Sequence, residues 1–153
     1  MIDTKKHPIS IIKVTPIELS IKANVEPDNR EKLGVIPYTM SVGHSDYDSS
    51  EKIIGVGVKF KTGKKDEPDT SDLPFSLTVE LSALFKVDEE KFPIEHIKDW
   101  AIRNAPLIIY PYLREHVYAL TIRAGFPPMM LPLLEVPTFK IEKKDSSTQN
   151  KVS

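Results

Sequence analysis

Apolar and polar residues alternate in four stretches along the first half of the chain and recur at helical spacing in the second. Over residues 17–25, Ile17, Leu19, Ile21, Ala23 and Val25 take one side, and Glu18, Ser20, Lys22 and Asn24 the other. That pattern predicts a half-buried strand. Tyr38, Met40 and Val42 alternate with Thr39 and Ser41 in a second, weaker strand, and Pro37 at its start suits a sheet edge. A third strand over residues 53–61 turns Ile54, Val56, Val58 and Phe60 inward, and a fourth over 74–81 does the same with Phe75, Leu77, Val79 and Leu81. The polar, turn-rich segment between them predicts an antiparallel hairpin. A short apolar segment at residues 83–87 ends the sheet region.

Helical signals follow. Asp88, Glu89 and Glu90 precede Pro93, which predicts a short helix reaching Asn104. A longer helix is predicted over residues 106–124 with Gly125 as its stop, and Pro111 is expected to kink or delay its first turn. The proline-spaced segment FPPMMLPLLEVP after Gly125 cannot be regular helix. Four strands followed by helices define an α+β fold, a four-stranded antiparallel sheet packed against C-terminal helices. It is expected to form one domain over residues 1–139, with a polar, disordered tail over 140–153.

Most of the hydrophobic density lies between Asn104 and Leu134. A membrane span needs roughly 18–20 apolar residues, and Arg114, Glu115, His116, Arg123 and several prolines interrupt the run. Wound at about 100° per residue, Ile109, Leu113, Val117, Leu120 and Ala124 form one stripe that would pack on the sheet. The opposite side carries Ile108, Tyr112, Ala119 and Ile122, with Glu115 near its centre. A helix apolar on two faces needs cover on both, and one sheet covers one. Either a second copy of the chain covers the other face, or residues 126–134 fold back over it.

Composition narrows the chemistry. The chain has 153 residues, 40% hydrophobic and 28% charged, with a formal net charge of −1, so no overall field favours nucleic acid or an anionic membrane. It has no cysteine, hence no thiol nucleophile, disulfide or cysteine-ligated zinc. The first residues, MIDTKKHPISIIKV, lack the features of a signal peptide, and a cytoplasmic location is expected. His44, Asp46 and Asp48 alternate in a Ser/Asp-rich loop where turn chemistry outweighs metal binding. His116 is expected to pack on the long helix, no phosphate-loop motif is present, and Lys64–Lys65 is balanced by neighbouring acids. Met129 and Met130 suit either a self-packing loop or adaptable apolar recognition. Convergent polar groups of the kind an enzyme needs are lacking, so a non-enzymatic, cofactor-free binding protein is favoured over a small-ligand-binding α+β protein.

The segments NAPLIIYPYLREHV (104–117) and RAGFPPMMLPL (123–133) resemble the SecB family of protein-export chaperones. The positions that carry the resemblance are Pro111, Tyr112, Arg114, Glu115, Arg123, Gly125, Phe126, Pro127, Leu131 and Pro132. The resemblance implies an ATP-independent holdase, a dimer of dimers that binds unfolded or precursor polypeptides in apolar grooves. One groove wall would hold Val35, Ile36, Tyr38 and Met40, the other Phe126, Met129, Met130, Leu131, Leu133 and Leu134. Ile108, Tyr112, Ala119 and Ile122 would lie in the oligomer interface. Family members that deliver clients to SecA present acidic sheet and tail surfaces. Lys22 and Thr78 stand at two such positions here, and the tail is lysine-rich, which weighs against SecA coupling. A chaperone dedicated to one client, such as an antitoxin, fits the same features.

Overall fold

The computed structural model of the chain describes residues 4–27, 33–67 and 69–135. Four strands, β1 (Ile9–Ala23), β2 (Tyr38–His44), β3 (Ile53–Thr62) and β4 (Phe75–Val87), form one antiparallel sheet in the order β1-β4-β3-β2. A 3-10 turn at Ile94–His96 leads into α1 (Ile97–Arg103), and α2 (Ala105–Arg123) follows. This is the predicted α+β layout. The predicted tail lies outside the described residues.

α2 crosses β1, β3 and β4 on one face of the sheet. Ile54, Val56, Val58 and Phe60 of β3 and Phe75, Leu77, Val79 and Leu81 of β4 meet Ile109, Leu113 and Val117 of the helix, all of them buried. Each such side chain contributes roughly 1.5–3 kcal/mol when removed from water. Leu120 and Ala124, predicted in the same helical stripe, are only partly buried, and Thr121 takes the enclosed position. Residues 83–87 are not a separate segment. Ala83, Phe85 and Val87 continue the inward alternation, so β4 runs on to Val87.

β1 departs from the pattern. It begins at Ile9, and its pairing with β4 slips between Ile11 and Lys13 and again between Pro16 and Glu18. Each slip leaves one extra residue, Ile12 and Ile17, without a partner. Leu19, Ile21 and Ala23 share the face of Val79, Leu77 and Phe75 as predicted, but Ile17 sits in the second bulge and is exposed. Val25 lies past the strand's end and is also exposed.

Pro111 does not delay the long helix, which starts at Ala105 with Pro106 in its first turn and continues to Arg123. Burial of Ile109, Tyr110 and Leu113 around the proline outweighs the hydrogen bond it removes. Gly125 is the stop that the sequence indicates, at a φ of 90°. Its N–H donates to the Ile122 carbonyl at 2.9 Å, and the Phe126 N–H donates to Thr121 at 3.0 Å. Those two bonds form a Schellman cap, which turns the chain back on itself.

Candidate functional site

From this cap residues 126–134 run back along α2. Pro127, Pro128 and Pro132 keep the segment out of helix or sheet, so its backbone groups need side-chain partners. α2 supplies them. The Met129 N–H donates to the Thr121 hydroxyl at 3.0 Å, while that hydroxyl donates to the Val117 and Tyr118 carbonyls. Arg114 Nε donates to the Leu131 carbonyl at 2.8 Å, and the Tyr110 hydroxyl donates to the Pro132 carbonyl. Phe126 packs on Phe75 with ring centroids 5.0 Å apart.

This anchoring sorts the apolar residues of the segment. Phe126 and Leu131 are buried, Leu131 to 2% exposure, and belong to the core rather than to an open surface. Met129 is half-buried. Met130, Leu133 and Leu134 face out, Met130 at 67% and Leu133 at 81% exposure. A cleft of about 250 Å³ lies beside Met130, lined by Pro111, Arg114, Glu115 and Tyr118 as well.

The second predicted wall is split in the same way. Ile36 is buried, Met40 is half-buried, and Val35 is fully exposed. Tyr38 is partly exposed and stacks on Phe60 at 4.9 Å between centroids. Burial raises the pKa of the Tyr110 hydroxyl, nearby Tyr38 adds to the rise, and Arg114 opposes it.

The outer side of α2 is left open. Ile108, Tyr112 and Ile122 are exposed, and Ala119 is half-buried among them. The returning segment therefore folds along α2 without covering that face. Tyr118, also exposed, extends the patch, although the sequence pattern did not single it out. Tyr110, Arg114 and Thr121 were likewise missed as anchors. A threonine and an arginine inside a strongly apolar helix were the available signal.

A wider concavity, about 850 Å³, lies elsewhere, where Lys6, Lys52, Lys86 and Lys91 oppose Asp88, Glu89 and Glu90. Glu89 takes the Tyr47 hydroxyl at 2.6 Å, and Asp88 accepts from the Glu90 N–H. In the loop after β2, Asp48 accepts from the Ser50 and Glu51 N–H groups and the Ser50 hydroxyl, which is turn chemistry. His44 Nδ1 lies 2.8 Å from the Ser45 carbonyl. Among the described residues no group of three or more His, Asp or Glu is placed to hold a metal ion, and no helix is long and apolar enough to cross a membrane.

A single antiparallel sheet, one long helix across it, and a prolyl segment pinned to that helix with Met130, Leu133 and Leu134 outward define an α+β protein with open apolar surface. Residues 5–139 match the family described as preprotein translocase subunit SecB, and the chain belongs to the SecB family. It is 34% identical over 62 residues to the protein-export protein SecB of Anaplasma phagocytophilum, which covers 40% of this chain and 39% of that protein. It is 33% identical over 79 residues to an uncharacterized protein of Methanocaldococcus jannaschii, covering 52% of this chain and 48% of that one. The chain thus spans less than half the length of either relative. In fold it is similar to a SecB-like chaperone of Mycobacterium tuberculosis, solved with a peptide from an antitoxin, at a TM-score of 0.62 and 22% identity over 86% of this chain and 94% of that one.

Proposed function

We propose that the chain is an ATP-independent holdase that keeps non-native polypeptides from aggregating by apolar contact, without a cofactor or catalytic step. The observation that carries this reading is the pinned segment. Met130, Leu133 and Leu134 are held out in water by the bonds from Tyr110, Arg114 and Thr121. A fold that only needed to close its core would turn such residues inward, and contiguous exposed apolar surface marks an interaction site. Flexible methionine suits partners of varied shape. Val35, Tyr38 and Met40 supply the facing wall, while Ile36, Phe126, Met129 and Leu131 support it from beneath. We place the protein in the cytoplasm as a homotetramer of two dimers, with Ile108, Tyr112, Ala119 and Ile122 between protomers.

SecB family membership and the α+β fold support this chaperone class. The particular client is argued from charge. The outer sheet face carries Lys13, Lys22, Lys59, Lys61 and Lys86 against Glu18 and Glu80. A basic docking element on SecA would meet repulsion there. A dedicated client is therefore favoured over general export, and the antitoxin peptide on the Mycobacterium tuberculosis chaperone gives a precedent for the kind of client. The test is fluorescence anisotropy of a labelled, permanently unfolded polypeptide titrated with the protein, with and without ATP. Saturable, nucleotide-independent binding is expected. No binding to any unfolded chain at micromolar protein would reject the holdase reading.

A further inference from the structure

Oxidisable sulfur in this chain is confined to four methionines, because there is no cysteine. A two-electron oxidant attacks a thioether that water can reach and spares one packed in a core. Met1 lies outside the described residues, and the structure sorts the other three. Met40 and Met129 are half-buried against the core, and the Met129 N–H is tied to the Thr121 hydroxyl. Met130 is 67% exposed. Its outward neighbours Leu133 and Leu134 cannot be oxidised, so Met130 is the point at which this apolar surface can change polarity.

Met130 also stands where oxidation has a structural consequence. It borders the cleft of about 250 Å³ with Pro111, Arg114, Glu115 and Tyr118. Arg114 Nε donates to the carbonyl of Leu131, the next residue, which fixes the guanidinium at this point of α2. A guanidinium has further N–H donors beyond Nε, and a thioether is too weak an acceptor to use them well. A sulfoxide is polar, and its oxygen accepts hydrogen bonds. Reduced Met130 is therefore best placed outward against an apolar partner, whereas its oxidised form has a charged donor in the adjoining cleft.

We propose that Met130 is a reversible oxidation site, and that its sulfoxide folds into the cleft against Arg114 and leaves the client surface. This rests on the holdase reading above and gives that surface a redox control. With hydrogen peroxide as oxidant, an S–O bond forms as the O–O bond breaks. The sulfur loses two electrons, and the second peroxide oxygen leaves as water. A dithiol reductant reverses the step: the sulfoxide oxygen leaves as water and the two thiols close to a disulfide.

The test treats the full chain with hydrogen peroxide and maps the added oxygen by mass spectrometry. Met130 should be modified about tenfold faster than Met40 or Met129. Binding to a labelled, permanently unfolded polypeptide without methionine or cysteine should become about fivefold weaker once Met130 is oxidised. Methionine sulfoxide reductase should restore it. Met130→Leu keeps an apolar side chain, so its binding should match that of the reduced wild type and survive peroxide. In the oxidised protein the isotope-labelled Met130 methyl should gain nuclear Overhauser intensity to the Tyr118 ring. Equal modification rates, unchanged affinity after oxidation, or the same loss in Met130→Leu would overturn the switch, while binding by the reduced protein leaves the holdase reading in place. No gain at Tyr118 would overturn the retraction into the cleft. Reduced wild type that binds no unfolded chain would reject the two readings together.

Discussion

Met130 and Leu131 are neighbours in sequence with opposite surroundings, one 67% exposed and the other 2%. Met130→Asp and Leu133→Asp should change stability by less than about 0.5 kcal/mol, because no core contact is lost. Leu131→Ala should cost about 2–5 kcal/mol by opening a cavity. Urea denaturation separates the two groups, and anisotropy titration should show weakened client binding in the first. A second residue-scale prediction concerns Tyr47, whose pKa is raised from 10.0 to about 12 by burial first and then by its hydrogen bond to Glu89. The fold favours the neutral hydroxyl, so this contribution to stability is fully present below pH 10 and lost as pH rises toward about 12. Spectrophotometric titration should show late-titrating tyrosine absorbance, and Tyr47→Phe should remove the part that Tyr110 does not supply. None of this sorting could be read from FPPMMLPLL, because a prolyl segment has no periodicity to tell inside from outside. Only the bonds from Tyr110, Arg114 and Thr121 decide it.

At the scale of elements the alternation in β3, and in β4 as far as Leu81, was legible, since both strands bury one face under α2 in an unbroken register, but the run of β4 on to Val87 was not. β1 was legible only beyond its second bulge, because an inserted residue reverses the side on which every later residue falls. The stop at Gly125 could be read from the glycine alone, and it positions everything after it. A Cβ at Gly125 would sit 3.2 Å from Pro27 Cβ and hold a φ of 90° that side chains resist. Gly125→Ala should therefore destabilise the protein by about 1–2 kcal/mol. A fall in the thermal midpoint would show it, together with loosening of residues 126–134. An unchanged midpoint would mean that the cap carries no strain-sensitive role.

For the whole molecule, the two-sided apolar character of α2 was visible in the sequence, and the sheet covers one side of it. Assembly of copies through Ile108, Tyr112, Ala119 and Ile122 is the proposal for the other side. Native mass spectrometry at micromolar concentration should find a tetramer, and Ile122→Glu should give a smaller species with an unchanged circular dichroism spectrum. A monomeric wild type would remove that interface from the account. The central claim is capture of non-native chains by the outward leucines and methionine. Its most direct test is light scattering from a thermally aggregating client mixed with wild-type protein or with the Met130→Asp, Leu133→Asp double variant, without nucleotide. The account predicts that stoichiometric wild-type protein suppresses the scattering and that the equally stable double variant does not. Equal suppression by the two, or none by the wild type, would contradict it.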